Sequence, residues 1–397
     1  MQLHPQKYKY FPKIRERARE NDLNKRLFFG YLRLEQMGIR TFMHKDMEGN
    51  KVTINDVARA AGVSKGTVDR VLHNRGEVSA KSKEKVLKVI EELGFKPNLY
   101  ASLLATQKER VISCIIPEHL PGEFWSLAGK GISDAALLVS RYGIKVETVH
   151  YDQYCHESFR SACASVLDSN PSGVLVAPIF REETISFVNQ LTDRGIPYIF
   201  LDTKIDESGH LAYFGMPMYQ SGVLCADILC GGSSIPQTVY VVRIARDRFG
   251  LSDPTASRRA GFMDYMTDNY PQTRIVSVFV NPKDQEQIWA TLDETIGADE
   301  GQKFIVMFNS RIHIVADYLA ARGQKGNRVI GFDMLEKNME HLRAGTVQAL
   351  VTQHTDRQAV DAVNALADYI LLGTPVSKKD NFTQMDILTK YNCDYYL

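Results

Sequence analysis

What this chain lacks narrows its chemistry. Its six cysteines, Cys114, Cys155, Cys163, Cys225, Cys230 and Cys393, form no close pair of the kind that grips zinc, so free buried thiols and no metal site are expected. No apolar run approaches the roughly 18 residues that a membrane span requires, and the N-terminus has no signal-peptide core, which argues against membrane insertion and export. A P-loop, a dinucleotide fingerprint and metal-spaced His/Cys sets are all missing, so no catalytic residue and no cofactor is nominated, and an enzyme is not expected. His150, Cys155 and His156 lie close in sequence, but such an isolated group reads as solvated surface or core. Net charge is scarce too, with 48 Lys and Arg against 47 Asp and Glu. That balance conceals a split: 22 Lys and Arg against 13 Asp and Glu through Glu109, and 26 against 34 beyond it. A basic N-terminal part beside an acidic remainder suits a nucleic-acid module joined to a small-molecule sensor. At 397 residues the chain is too long for one ordinary core, and two or three domains are expected.

What is present begins with Thr53 to Leu72, TINDVARAAGVSKGTVDRVL, which reads as two short amphipathic helices folded around Gly62. Thr53 can cap the first, where Ile54, Val57, Ala58 and Ala61 repeat at helical spacing. Gly62 tolerates the positive φ of a sharp reversal, Val63 plugs the core between the helices, and Ser64 caps the second. Val68, Val71 and Leu72 then face inward, leaving Lys65, Gly66, Thr67, Asp69, Arg70 and His73 outward. A third helix is expected from about Ala80 to Leu93, capped by Ser79 and stopped by Gly94. Three helices close a minimal core, and the pattern is that of a helix-turn-helix whose second helix enters the DNA major groove. After it, Leu99 to Ala105 is a short apolar run with Asn98 at the capping position. It is too short to be a stable helix alone, since isolated helices below about 12 residues are marginal. Docked on DNA, such a hinge could place Leu104 as a wedge in the minor groove.

In this order, Val52-Thr-Ile-Asn-Asp-Val-Ala-Arg-Ala-Ala-Gly-Val-Ser, Thr67 to Leu72, Val78-Ser79, Leu93 to Asn98 and Leu104-Ala105, the chain resembles the lactose-repressor/galactose-repressor family. The resemblance implies a hinge helix that pairs with its twin across a dimer and drives Leu104 into the minor groove. It puts Lys65 and Gly66 where the family reads bases, and Arg70 at a further major-groove contact. With Thr53, Ser64, Thr67 and Asn98 these make the candidate DNA-binding set. Asp69 departs from the family, standing where many members carry a small hydroxyl residue, and a carboxylate near phosphates is repulsive.

From Arg110 onward apolar strands alternate with helical stretches: Val111 to Ile116, Lys145 to Val149, Gly173 to Ala177, Tyr198 to Leu201, Thr238 to Arg243, Ile275 to Phe279, Phe304 to Phe308 and Val329 to Phe332. That is α/β with parallel sheets, economically arranged in two lobes. The resemblance implies the same, a two-lobed α/β sensor of periplasmic-binding-protein-like type I fold, with crossings near Phe214, Thr352 and Asn381. The expected domains are an N-terminal extension (1–50), a helix-turn-helix domain (51–96), a hinge helix and linker (97–109) and an effector-binding domain (110–397). Lobe 1 is expected at about 110–213 and 355–380, and lobe 2 at about 217–352 and 384–397.

In open parallel sheets ligands lie beyond the carboxyl ends of the strands. Asp202, Asn309 and Asp333 each follow a strand there, and Arg258 stands at a helix start. Carboxylates accept from paired hydroxyls, a guanidinium donates in a fixed fork and amides do both, which is the chemistry a sugar demands. Phe124 and Trp125 could stack on its apolar face. The resemblance implies ligand roles for Arg258, Asn309 and Asp333, with Gln353 beside a crossover as a weaker candidate. Strand-end Asp and Asn also cap helices and close turns, which is the competing structural reading. Ser310-Arg311 departs from the family, which often places an acid directly after the asparagine; Arg311 would then invite an acidic sugar or phosphate.

Residues Met1 to Asn50 are rich in Lys, Arg and Tyr and precede the place where family members usually begin. They read as an upstream translation artefact, with the native start at Met47, or as a disordered arm. The expectation is a bacterial, cytoplasmic, nucleoid-associated regulator, a repressor of a carbohydrate-utilisation operon. Its partners would be double-stranded operator DNA, a sugar or sugar derivative, and a second copy in a homodimer or tetramer, with no membrane. The rival readings are a solute-binding receptor and a sugar-acting enzyme on the same two-lobed fold.

Overall fold

The computed structural model describes residues 52–72, 78–95, 109–206, 208–232, 235–244, 255–298 and 301–396. Residues 1–50, His73, and the hinge with Asn98 and Leu104 lie outside them. The chain divides into two compact units, Met1–Leu99 and Tyr100–Leu397.

The first unit is helical, with α1 (Ile54–Ala61), α2 (Lys65–Leu72) and α3 (Ala80–Glu92). Thr53 begins α1 with a reciprocal cap: its hydroxyl accepts from the Asp56 backbone N–H and the Asp56 carboxylate accepts from the Thr53 N–H at 2.9 Å. That bonding holds the Asp56 carboxyl below its ordinary value. Gly62 ends α1 at φ +64°, and the N–H of Val63 returns to the Ala58 carbonyl. Ser64 Oγ accepts from the Thr67 N–H at 3.1 Å, and Ser79 caps α3 in the same way. Val57, Val68 and Val86 are fully buried at the centre. Leu93, at the end of the expected third helix, is exposed, and Phe95 closes the core, because the positive φ of Gly94 turns the chain back over it.

The second unit contains two six-stranded sheets. The elements on the first are β1 (Arg110–Pro117), α4 (Phe124–Ser140), β2 (Ile144–Tyr151), α5 (His156–Ser169), β3 (Gly173–Val176), α6 (Arg181–Asp193), β4 (Tyr198–Leu201) and β5 (Ala212–Gly215). The chain continues through α7 (Met218–Cys230), β6 (Thr238–Ile244), α8 (Ala256–Asn269), β7 (Arg274–Val280), α9 (Gln285–Leu292), β8 (Phe304–Met307), α10 (His313–Ala321), β9 (Arg328–Phe332), α11 (Glu336–Ala344) and β10 (Ala349–Thr352). It closes with α12 (Thr355–Leu372), β11 (Asp380–Phe382) and β12 (Asp386–Leu388). Strand order is β11-β5-β4-β3-β1-β2 in one sheet and β12-β10-β9-β8-β6-β7 in the other. All pairings are parallel except β10 with β12. The chain passes between sheets three times: after β5, after β10, and between β11 and β12.

The central strands are buried along their length, as in β3, β4 and β8, which is why their sequences are continuous apolar runs. The outer strands β2 and β7 alternate apolar and polar residues and are half exposed. Helix α12 packs on the first sheet, joining the core of Ile112, Phe159, Phe187 and Leu366. Glycines permit two close helix contacts: a Cβ at Gly131 of α4 would overlap the Asp356 carbonyl of α12, and Cβ atoms at Gly222 of α7 and Gly261 of α8 would overlap the Arg258 and Tyr219 carbonyls. All six cysteines are free thiols, five of them buried. Burial pushes the Cys225 and Cys163 thiols up to about 12. Among the described residues no helix is long and apolar enough to cross a membrane.

Candidate functional site

In the helical unit, α2 turns Lys65, Gly66 and Arg70 to solvent and leaves Thr67 half-buried. The geometry follows from the cap, because Ser64 fixes the first turn and Val68 and Val71 anchor the opposite face. The hydroxyls of Thr53 and Ser64 are engaged in capping, Thr53 with Asp56 at 2.6 Å and Ser64 with Thr67 at 2.9 Å. A rigid, exposed helix N-terminus with Lys65 on it is the arrangement that suits a phosphate-rich partner.

In the larger unit, a cavity of about 360 Å³ lies between the two sheets at the carboxyl ends of their strands. All seven residues nominated for an effector line it. Asp202, Arg258, Asn309, Asp333 and Gln353 meet there although they come from five separate stretches of chain, and Phe124 and Trp125 form part of the wall.

The two aspartates are placed equivalently in the two lobes. Asp202 follows β4 with φ +65° and Asp333 follows β9 with φ +68°. The N–H of each donates to the carbonyl of the neighbouring strand, Phe214 and Val351, at 2.9 Å. Left-handed backbone at a non-glycine residue is costly and persists where the surroundings over-determine it. Here it swings a carboxylate from the strand end into the cleft. Asp333 is 3% exposed and accepts from Ser310 Oγ at 2.5 Å and Gln353 Nε2 at 3.4 Å. Burial pushes its carboxyl above the usual range, while Ser310 and the Arg258 charge pull it back.

Arg258, the third residue of α8, is 3% exposed, with its guanidinium 3.7 Å from the Phe332 ring centre. Its Nε donates to Ser221 Oγ at 3.0 Å and its Nη1 to the Phe308 carbonyl. Its Nη2 meets the thioethers of Met216 and Met218 at 2.8 and 3.1 Å, which are weak acceptors. Burial pushes this guanidinium below its ordinary value, and Asp333 and Asp202 hold it up. Asn309 accepts from the Arg311 backbone N–H at 3.0 Å, a local turn that leaves its amide nitrogen toward other partners. Gln353 is 3% exposed and its Oε1 has no hydrogen-bond partner, an unsatisfied acceptor in the cavity wall.

Glu123, Gln153, Tyr154, His313 and Lys337 also line the cavity and were not nominated from sequence. Gln153 and Tyr154 follow β2, so the strand-end rule that found Asp202 would have reached them. Glu123 and Arg311 meet across the cleft at 3.7 Å, a contact between distant segments that local pattern cannot show. His150 and His156 do not form one site: His156 pairs with Glu183 at 2.6 Å, whereas His150 packs edge-on against His119. Among the described residues no group of three His, Cys, Asp or Glu is disposed to hold a metal.

The fold and the cleft define a two-lobed ligand-binding unit of the periplasmic-binding type, preceded in the chain by a helix-turn-helix unit. Residues 113–374 match the family described as periplasmic binding protein domain, and residues 53–98 match bacterial regulatory proteins, lacI family. A solved putative LacI transcriptional regulator from Bacteroides fragilis is similar, with a TM-score of 0.68 and 31% identity over 73% of this chain and 100% of that one. The ribose operon repressor of Halalkalibacterium halodurans is 25% identical over 289 residues, 71% of this chain and 80% of that protein. The ribose operon repressor of Lactococcus lactis is 27% identical over 164 residues, 41% of this chain and 45% of that protein. The chain spans less than half the length of most of the curated relatives it matches. It belongs to the lacI family of bacterial regulatory proteins.

Proposed function

We propose that this protein is a sequence-specific DNA-binding transcriptional regulator, a repressor of a carbohydrate-utilisation operon whose operator affinity is set by a sugar-like effector held between the two lobes. The observation that carries this reading is the convergence of Asp202, Arg258, Asn309, Asp333 and Gln353 on one cavity beside Phe124 and Trp125. Two carboxylates, a guanidinium and two amides around an aromatic wall suit a ring bearing hydroxyls on its edge and C–H bonds on its face. The Nη2 of Arg258 gains most, because an effector oxygen would replace thioether sulfur as its acceptor.

DNA binding rests on α2, with Lys65, Gly66, Thr67 and Arg70 toward the major groove and Thr53 and Ser64 holding the helix starts. Asn98 and Leu104 belong to the hinge that follows. The protein acts as a homodimer on a roughly two-fold operator in the bacterial cytoplasm, on the nucleoid, and without catalysis. The effector acts by closing the lobes, which alters whether two hinges can fold together on DNA, so that coupling between the sites is a population shift.

Selection of bound duplexes from a random DNA library tests the reading. The protein should enrich an approximately palindromic sequence, and a sugar that binds the cleft should change the retained fraction. A library recovered without enrichment would refute operator binding.

A further inference from the structure

The effector cavity does not end at Glu123 and Arg311. Beyond this pair lies a second, more open chamber of about 720 Å³. Glu123, Gln153, Tyr154 and Arg311 line both, so the two chambers are contiguous. The cleft thus runs from Gln353, at a crossover, to the edge strands on the far side. In the outer chamber Glu118, His119 and His150 come from the carboxyl ends of β1 and β2, and Asp152 and Tyr154 from the loop after β2. Lys283, from the loop after β7 of the opposite sheet, completes it.

This is a built surface. His119 Nδ1 donates to the Pro117 carbonyl at 3.0 Å, which fixes the orientation of the ring. Its imidazole lies against Gly129 of α4, where a Cβ would come within 2.9 Å of Nε2. His150 packs edge-on against it at 5.3 Å, and the Lys283 ammonium lies over the Tyr154 ring at 4.8 Å, joining the lobes. The lining carries three carboxylates, Glu118, Glu123 and Asp152, against two permanent cations, Lys283 and Arg311. That balance offers an anionic group no net attraction, even with Arg311 present, whereas imidazoles, carboxylates and an ammonium together match neutral hydroxyls.

Building on the sugar-effector reading of the inner cavity, we propose that the outer chamber is a second sugar subsite. The effector is then a neutral saccharide of at least two residues: one lies against Arg258 and Asp333, and the next between His119, His150 and Lys283. The Glu123–Arg311 ion pair, 3.7 Å apart where the chambers join, lies along one side of the glycosidic linkage.

The test is calorimetric titration of the full chain with glucose, galactose, mannose and xylose, each alongside its α- and β-linked homodisaccharides and its uronate. The expected result is a disaccharide that binds at least about tenfold tighter than its own monosaccharide, a difference of about 1.4 kcal/mol. In the double variant His150→Ala/Lys283→Ala that advantage should shrink to within about threefold while monosaccharide affinity is unchanged. The unchanged monosaccharide affinity also reports that the inner cavity is intact. Equal affinity for monosaccharide and disaccharide, tighter binding of a uronate than of its neutral parent, or an advantage that survives the double variant would each overturn the second subsite and leave the sugar effector standing. No heat with any saccharide would instead overturn the sugar-effector reading, and the subsite with it.

Discussion

Arg258 ties the cleft to the elements that wall it. It is buried against Phe332, donates to Ser221 and Phe308, and faces two aspartates. Replacing it with the similarly long but uncharged Met should weaken saccharide binding by roughly 10- to 100-fold, the value of one or two hydrogen bonds to a charged group. Operator affinity in the absence of sugar should change little, so parallel calorimetry and gel shifts separate the two effects; unchanged saccharide affinity would remove Arg258 from the site. On the other unit, Arg70 is exposed on α2. If it meets a phosphate, Arg70→Ala should reduce the slope of log affinity against log salt by about 0.9. A slope identical to the parent's would exclude that contact. Arg258 was legible because it stands at a helix start, and Arg70 because it lies on the outward face of an amphipathic helix. Glu123 and Arg311 were not legible as a pair, since only the facing of the two sheets brings them to 3.7 Å.

At the scale of elements, the contact between α7 and α8 decides where Arg258 sits. Gly222 and Gly261 let the helices approach backbone to backbone, and Ser221, beside Gly222, holds the guanidinium. Gly261→Ala forces a methyl into the Tyr219 carbonyl, so the helices must separate. Overpacking of this kind costs about 1–3 kcal/mol, and chemical denaturation should show that loss together with weaker saccharide binding. Stability equal to the parent's would mean that the helices yield without strain. The long apolar strands were readable because burial on both faces removes polar residues from them. Ala212–Gly215, Ala349–Thr352, Asp380–Phe382 and Asp386–Leu388 were not recognised as strands: they lack the unbroken run of large apolar residues that marks the equally short Tyr198–Leu201 and Phe304–Met307, and their neighbours in the sheet define them.

Across the larger unit, His210 and the half-buried His313 are expected to contribute to the response to acid. Burial pushes His210, His313 and His150 below the ordinary histidine value of 6.5. Between their folded values and 6.5 the unfolded chain binds more protons than the folded one, so stability falls as the pH drops below about 6.5. The thermal midpoint followed by circular dichroism from pH 7.5 to 5.5 should therefore decline on the acid side. The decline should be shallower in His210→Gln/His313→Gln, and an unchanged slope would assign the acid response to other groups.

The sequence by itself determined the helix-turn-helix, since caps at Thr53, Ser64 and Ser79, a left-handed Gly62 and apolar residues at helical spacing are local properties that few other structures satisfy. It also determined that the remainder alternates strands and helices, and which polar residues end the strands. The tertiary structure decided what those residues do together. Only the facing of two sheets gathers Asp202, Arg258, Asn309, Asp333 and Gln353 around one cavity, and only the far ends of β1, β2 and β7 add the outer chamber with His119, His150 and Lys283. The reason is physical: capping and amphipathic patterning act over three or four residues, whereas the cleft is made by contacts between segments from 20 to nearly 200 residues apart.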